Sequence, residues 1–107
     1  MFEQPYDASS WMYPAVRSLV AQDGVCCVDF DQCTTGLVCP GNGAPIKKRT
    51  RFATNSEAVY TRFAGKQCSC MRPHARCWGS KHGIQMSTFC QVYTAELCRE
   101  VLGAVFG

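Results

Sequence analysis

"CSCMRPHARCWGSKH", residues 68–82, places three cysteines and two histidines within fifteen positions. How these groups are used decides the fold, because sulfur and imidazole can close a metal site, whereas sulfur alone can form disulfides. The metal reading takes Cys68, Cys70, His74 and Cys77 as a Cys3His set, with His82 as a substitute ligand, since zinc takes four nitrogen or sulfur donors in a tetrahedron. Spacing runs against it. Zinc sites commonly use cysteine pairs separated by about two to four residues, whereas the chain contains no C-x-x-C, and a C-x-C or the adjacent Cys26 and Cys27 is less suited to chelation from one turn.

Moving outward, the whole chain has 107 residues and nine cysteines. A chain this short has much surface relative to the core it can bury, so staples of some kind are expected. It is also a poor host for a deep catalytic pocket. The net charge of +3 and pI near 8.4 are mildly basic, below the value of about 9 that marks a nucleic-acid domain. No stretch approaches the roughly 20 apolar residues of a membrane span. The first 24 residues lack the basic and apolar regions of a secretory signal. With a signal already removed, the chain is expected to be extracellular and its thiols to favour disulfides; with Met1 native, a reducing compartment and metal are expected.

Three segments follow from patterning. Residues 1–24 form an N-terminal helical segment, in which "SSWMYPAVRSLVAQDG" predicts a short helix capped by Ser9 or Ser10. Pro14 falls in its first turn, Met12, Val16, Leu19 and Val20 on one face, and Gly24 is the stop. Residues 25–67 predict a cysteine hairpin, with strands over Val25–Phe30 and Leu37–Val38 and an inserted basic loop. That insertion, residues 41–67, lies in the longest interval between two cysteines and holds Lys47, Lys48, Arg49, Arg51, Arg62 and Lys66. Two readings stand: a cationic patch for a polyanion or an acidic protein, or a solvated β-hairpin with Phe52, Val59, Tyr60 and Phe63 as its apolar contacts. In residues 68–107, Val92, Ala95, Leu97, Val101, Leu102 and Val105 predict a helix that begins after Thr88 and carries Cys90 and Cys98.

Read in order, "DQCTTGLVC", "KQCSC" and "RCWGSKHGIQMSTFCQVYTAELC" resemble the follistatin-type module, a cysteine hairpin followed by a Kazal-like subdomain, over roughly residues 26–100. The resemblance implies an extracellular disulfide scaffold that joins Cys27 to Cys39, Cys33 to Cys68 and Cys70 to Cys98, with Cys77 and Cys90 paired by default and Cys26 left over. A second Kazal register pairs Cys68 with Cys98 and Cys70 with Cys90 and leaves Cys77. Sequence alone does not determine connectivity. In either register an odd thiol remains for an interchain bond, hence a covalent homodimer or an assembly partner.

The fold expected is therefore small, disulfide-rich α+β, with an N-terminal helix, short antiparallel hairpins and a C-terminal helix. The expected function is a non-enzymatic, disulfide-stabilised extracellular module that binds a protein or polyanion and needs no cofactor. Lys47, Lys48, Arg49, Arg51, Arg62 and Lys66 form its contact surface, together with Met71 and Arg72 of the loop that a protease would read in a Kazal inhibitor. Pro73 directly after Arg72 argues against inhibition itself. The alternatives are a zinc-stabilised intracellular effector or nucleic-acid-binding factor, or a small accessory subunit of a large assembly. No enzyme is expected: nothing near Cys70, His74 and Cys77 supplies an orienting group or oxyanion site, and Asp29 and Asp31, on one side of a strand, read as its wet face.

Overall fold

The sequence RTRFAT, Arg49–Thr54, alternates in a way that suits a strand with two different faces, and this strand, β3, is the centre of the fold. The computed structural model describes residues 1–77, 79–81 and 83–106. Strand β1 (Phe2–Pro5) lies antiparallel on one side of β3, and β2 (Cys26–Asp31) lies antiparallel on the other, giving the order β1-β3-β2. Register places Val28 opposite Phe52 and Phe30 opposite Thr50 on the inner side, and Asp29 opposite Arg51 and Asp31 opposite Arg49 on the other. The result is a small α+β domain built on a three-stranded antiparallel sheet.

The inner face is closed by two helices. Phe30, Phe52 and Phe63 form a triad with ring centroids 4.7 to 5.0 Å apart, all fully buried. Phe63 and Val59 come from α2 (Glu57–Ala64) and Leu97 from α4 (Ala95–Phe106). The expected hairpin over residues 41–67 is thus a central strand followed by a helix. Ser56 marks the change: its Oγ accepts a hydrogen bond from the Val59 N–H at 3.2 Å, an N-cap, with Glu57 favourable in the first turn. Val59 and Phe63, four residues apart, then fall on one face, while Tyr60 stays largely exposed.

The N-terminal helix is shorter than predicted and divided. A 3₁₀ turn over Ser9–Met12 precedes α1 (Pro14–Val20), and Tyr13 between them is extended because the residue before proline is excluded from helical conformation. No residue of α1 is buried, so the helix contributes little to the core. The C-terminal helix is divided as well. A four-residue α3 (Met86–Phe89) ends at Cys90, and α4 restarts at Ala95. Thr94 supplies the break, since its hydroxyl accepts from the Leu97 N–H at 3.0 Å and donates to the Thr35 carbonyl at 2.5 Å.

A second, smaller core holds Leu37, Cys39, Ile46, Met86 and Cys90, with Cys77 and Phe89 packed against it. Little regular structure supports it. Val38 bridges to Pro45 and Ile46 to Ala75 as isolated pairs, and β4 (Ser80–Lys81) pairs with β5 (Ile84–Gln85) over two residues each. The predicted strand at Leu37–Val38 is this bridge, and β2 pairs with β3 instead of with it. No helix among the described residues is long and apolar enough to cross a membrane.

Truncating the triad at Phe63→Ala should cost about 3–5 kcal/mol in urea unfolding, whereas Met12→Ala, at a side chain 68% exposed, should change stability by less than about 0.5 kcal/mol. Equal losses at the two sites would mean that the triad is not the core.

Candidate metal centre

Cys33 is placed by the sheet. It sits in a 3₁₀ turn, Gln32–Thr35, that leaves the end of β2. Gln32 is buried and donates from Nε2 to the Thr50 hydroxyl at 2.9 Å, while the Thr34 and Thr35 hydroxyls donate to the carbonyls of Asp31 and Gln32. Gly36 ends the turn at φ +84°, where a side chain would be strained and a Cβ would stand 2.8 Å from Glu96 Oε2.

Cys68 is brought to the same corner by the chain leaving α2. The Asp31 N–H donates to the Lys66 carbonyl at 3.0 Å, and the Cys68 N–H donates to Asp31 Oδ2 at 2.8 Å. Gln67 adds a bond from Nε2 to the Asp29 carbonyl at 2.8 Å. The loop that follows then turns Cys70 and His74 back towards Cys68.

The outcome is a four-donor set. One ligand atom from each of Cys33, Cys68, Cys70 and His74 lies within 4.8 Å of every other, and Cys68 Sγ is 3.2 Å from His74 Nε2. In a tetrahedral zinc site with ordinary bond lengths, two sulfurs stand about 3.8 Å apart and a sulfur and nitrogen about 3.6 Å apart. Adjustments of an ångström or less would close these donors on an ion. Cys33 and Cys68 are half-buried and Cys70 and His74 exposed, so the site lies at the surface with an entry path.

The electrostatics favour a cation. The Cys68 thiol is held below the ordinary range, first because the Cys70 backbone N–H points at its sulfur, then through the neighbouring thiols and the charge of Lys47, against the opposing effect of burial. Cys33 moves the other way, pushed up by burial and by the thiols of Cys68 and Cys70. A thiol shifted towards its thiolate thus adjoins one shifted away from it. A C-x-C pair thus enters a four-donor set despite the spacing that counted against it in the sequence.

Of the metal ligands singled out in residues 68–82, Cys68, Cys70 and His74 come together, Cys77 lies in the second core, and His82 is outside the described residues. Cys33, which completes the set, escaped the sequence reading because it lies far upstream. Its signal was present in "CTTG", a cysteine in a tight turn that ends on a glycine. All nine cysteines are free. Two of the pairs implied by the resemblance are neighbours, Cys33 beside Cys68 and Cys77 beside Cys90. Cys27 lies on β2 and Cys39 in the second core, while Cys70 is in the four-donor set and Cys98 beside Tyr93 on α4.

The proposed contact residues are mostly engaged within the chain. Arg51 binds both Asp29 oxygens, at 2.7 and 3.1 Å, and Arg49 lies 3.8 Å from Asp31 and 4.0 Å from Asp29. Arg62 and Lys66 converge on Glu100 at 3.3 and 3.5 Å, and Lys48 donates to the Cys90 carbonyl at 2.9 Å. Arg72 reaches the Gly43 and Asn42 carbonyls, Lys47 is exposed and its charge acts on Cys68, and Met71 is almost wholly exposed. Asp29 and Asp31 do point the same way, yet Asp31 is buried instead of forming a wet face. No known protein family, curated protein or solved structure matches the chain.

Two outcomes follow. His74→Asn should abolish tight zinc binding at this site, and Asp31→Ala should weaken it about 10–100-fold without changing the ligands, as loss of a ligand-orienting partner does; competition with a chromophoric chelator measures both. In the metal-free reduced protein, the lowered Cys68 value keeps it thiolate at lower pH, so its alkylation should extend to lower pH than that of Cys33. Mass mapping of alkylated peptides across a pH series reads the order directly.

Proposed function

We propose that this chain is a zinc-stabilised, non-enzymatic binding module. The observation that carries the reading is the convergence of Cys33, Cys68, Cys70 and His74. Four protein ligands close the coordination shell, which is the arrangement of structural zinc, whereas catalytic zinc keeps a position for water or substrate. Structural zinc contributes about 10–16 kcal/mol of apparent binding energy in small domains, comparable to or larger than the roughly 5–15 kcal/mol by which whole domains are stable. The ion would therefore decide whether the fold exists. Thiolate ligands last where thiols stay reduced, so the reading carries with it a reducing compartment.

The partner supported best is a protein. Asp29 and Asp31 balance Arg49 and Arg51, and Glu100 offsets one of Arg62 and Lys66, which halves the basic segment's charge available to phosphate or sulfate. Apolar area is more available: Leu102, Val105 and Phe106 at the end of α4 are exposed.

A second reading keeps the follistatin-type scaffold and the extracellular setting. It draws on the adjacency of Cys33 to Cys68 and of Cys77 to Cys90, which an oxidising compartment would convert to two bonds. Mass spectrometry separates the two. Under the zinc reading, protein purified without reductant keeps its full thiol mass when denatured and carries about 63 Da for each zinc in the native spectrum. Loss of about 2 Da per disulfide would overturn it.

Chelator should then unfold the domain, seen as loss of helical circular dichroism that zinc restores. Neither heparin nor duplex DNA should bind saturably at physiological salt. Salt-sensitive binding of either at micromolar affinity would overturn the protein-partner assignment and leave the metal assignment standing.

A further inference from the structure

The four donors of the metal centre are held unequally. Cys33 and Cys68 are anchored at the end of β2, one by the 3₁₀ turn Gln32–Thr35 and the other by the 2.8 Å bond from its N–H to Asp31 Oδ2. Cys70 and His74 stand on residues 69–74, every one of which is exposed. Arg72 ties this stretch to the Asn42 and Gly43 carbonyls through two long bonds of 3.4 Å. One sulfur of the set therefore faces solvent on a loosely tied loop, and two half-buried sulfurs stand beside it on firmer backbone.

This inequality decides which sulfur reacts once an ion is bound. Zinc deprotonates the thiols that bind it, so all three sulfurs are thiolates and acidity no longer ranks them. Exposure does. Cysteine oxidation follows thiolate character and access, and in the zinc-loaded set both meet at Cys70. Every other donor atom lies within 4.8 Å of its sulfur. A disulfide is about 2.05 Å long, so a movement of less than about 3 Å by the exposed loop closes one. Cys33 is the partner that this geometry favours, because it lies on a separate segment. A bond from Cys70 to Cys68 would close a small ring around Ser69 alone, against the dihedral angle that a disulfide prefers.

We infer that the centre of Cys33, Cys68, Cys70 and His74 is a hydroperoxide-reactive zinc thiolate site, in which oxidation joins Cys70 to Cys33 and releases the ion. This rests on the zinc reading proposed above. Cys70 Sγ attacks the terminal peroxide oxygen, the O–O bond breaks, and the alkoxide or hydroxide that leaves takes a proton from solvent. Cys33 Sγ then attacks the sulfur of the Cys70 sulfenic acid. The S–S bond forms, the S–O bond breaks, and the oxygen leaves as hydroxide and takes a second proton. Two electrons have passed from the two sulfurs to the peroxide. The ion keeps only Cys68 and His74, half of a four-donor shell, and enters solvent as Zn(II). A thiol reductant reverses the step by exchange, restoring both thiolates.

The test uses the reduced, zinc-loaded full chain, hydrogen peroxide as oxidant and a chromophoric zinc indicator too weak to strip the ion by itself. One equivalent of peroxide should release one zinc, and peptide mass mapping after alkylation should show Cys33 linked to Cys70. Dimedone added with the peroxide should trap the sulfenic acid at Cys70 ahead of Cys68, and ahead of Cys98, which is exposed but outside the donor set. Dithiothreitol followed by zinc should restore the original zinc count. Zinc retained under peroxide, a Cys68–Cys70 or Cys33–Cys68 bond in place of Cys33–Cys70, or first trapping at Cys68 or Cys98 would each overturn the inference and leave the zinc reading standing. A reduced chain that takes up no zinc before peroxide is added would overturn the zinc reading itself, so the two failures are distinct. Every measurement uses the wild-type chain, and none needs a variant to fold.

Discussion

The buried carboxylate of Asp31 joins the sheet to everything that follows it. Its backbone N–H donates to the Lys66 carbonyl, its Oδ2 accepts from the Cys68 N–H, and its other oxygen faces Arg49 at 3.8 Å. A carboxylate this buried is costly to desolvate and is retained only with partners. Here the partners are the two segments that must meet for Cys33 and Cys68 to be neighbours. Cys33 is two residues beyond Asp31 on one chain segment, and Cys68 is held directly by its side chain on the other. The placement of two donors therefore depends on one buried side chain at the end of β2.

The same cross-strand chemistry explains why a basic segment need not make a basic surface. Arg49 and Arg51 alternate on β3 and lie opposite Asp31 and Asp29 on β2. An arginine opposite an aspartate forms a charge-assisted fork that a lysine would make less well. The adjacent aromatic rings add to this: Arg51 lies 5.5 Å from the centre of the Trp11 ring and Arg49 at the same distance from Tyr6. The outer face of the sheet is in this way a layer of paired charges and aromatic edges, held as part of the fold.

Several parts of this arrangement were legible in the sequence. The alternation around Phe30 and the apolar period of the last helix each correspond to an observed element, and three of the donors in residues 68–82 stand in the four-donor set. What was hidden had physical causes. Thr94 and Pro14 each divide a helix because one residue's side chain or ring competes with the helical backbone, a local effect that apolar periodicity does not register. Residues 41–67 read as one basic loop or hairpin because charge masked a strand, and the Ser56 cap that separates strand from helix is a single hydroxyl. Cys33 was missed for a different reason: a ligand set assembled from distant segments exists only once β2, β3 and α2 have packed.

Packing also decides how the thiols divide. Cysteines close in sequence, such as Cys68 and Cys70, share one site because the backbone N–H of the second can reach the sulfur of the first. Cys77 is only seven positions beyond Cys70, yet Ala75 pairs with Ile46 before the chain reaches it, and this parallel bridge directs Cys77 to the other core. Residues 46–48 thus run between the two groups of sulfurs, with Ile46 in the second core, Lys47 towards Cys68 and Lys48 against Cys90. A segment first read as an inserted basic loop thus contributes a buried residue to the second core and a charge to the surroundings of Cys68.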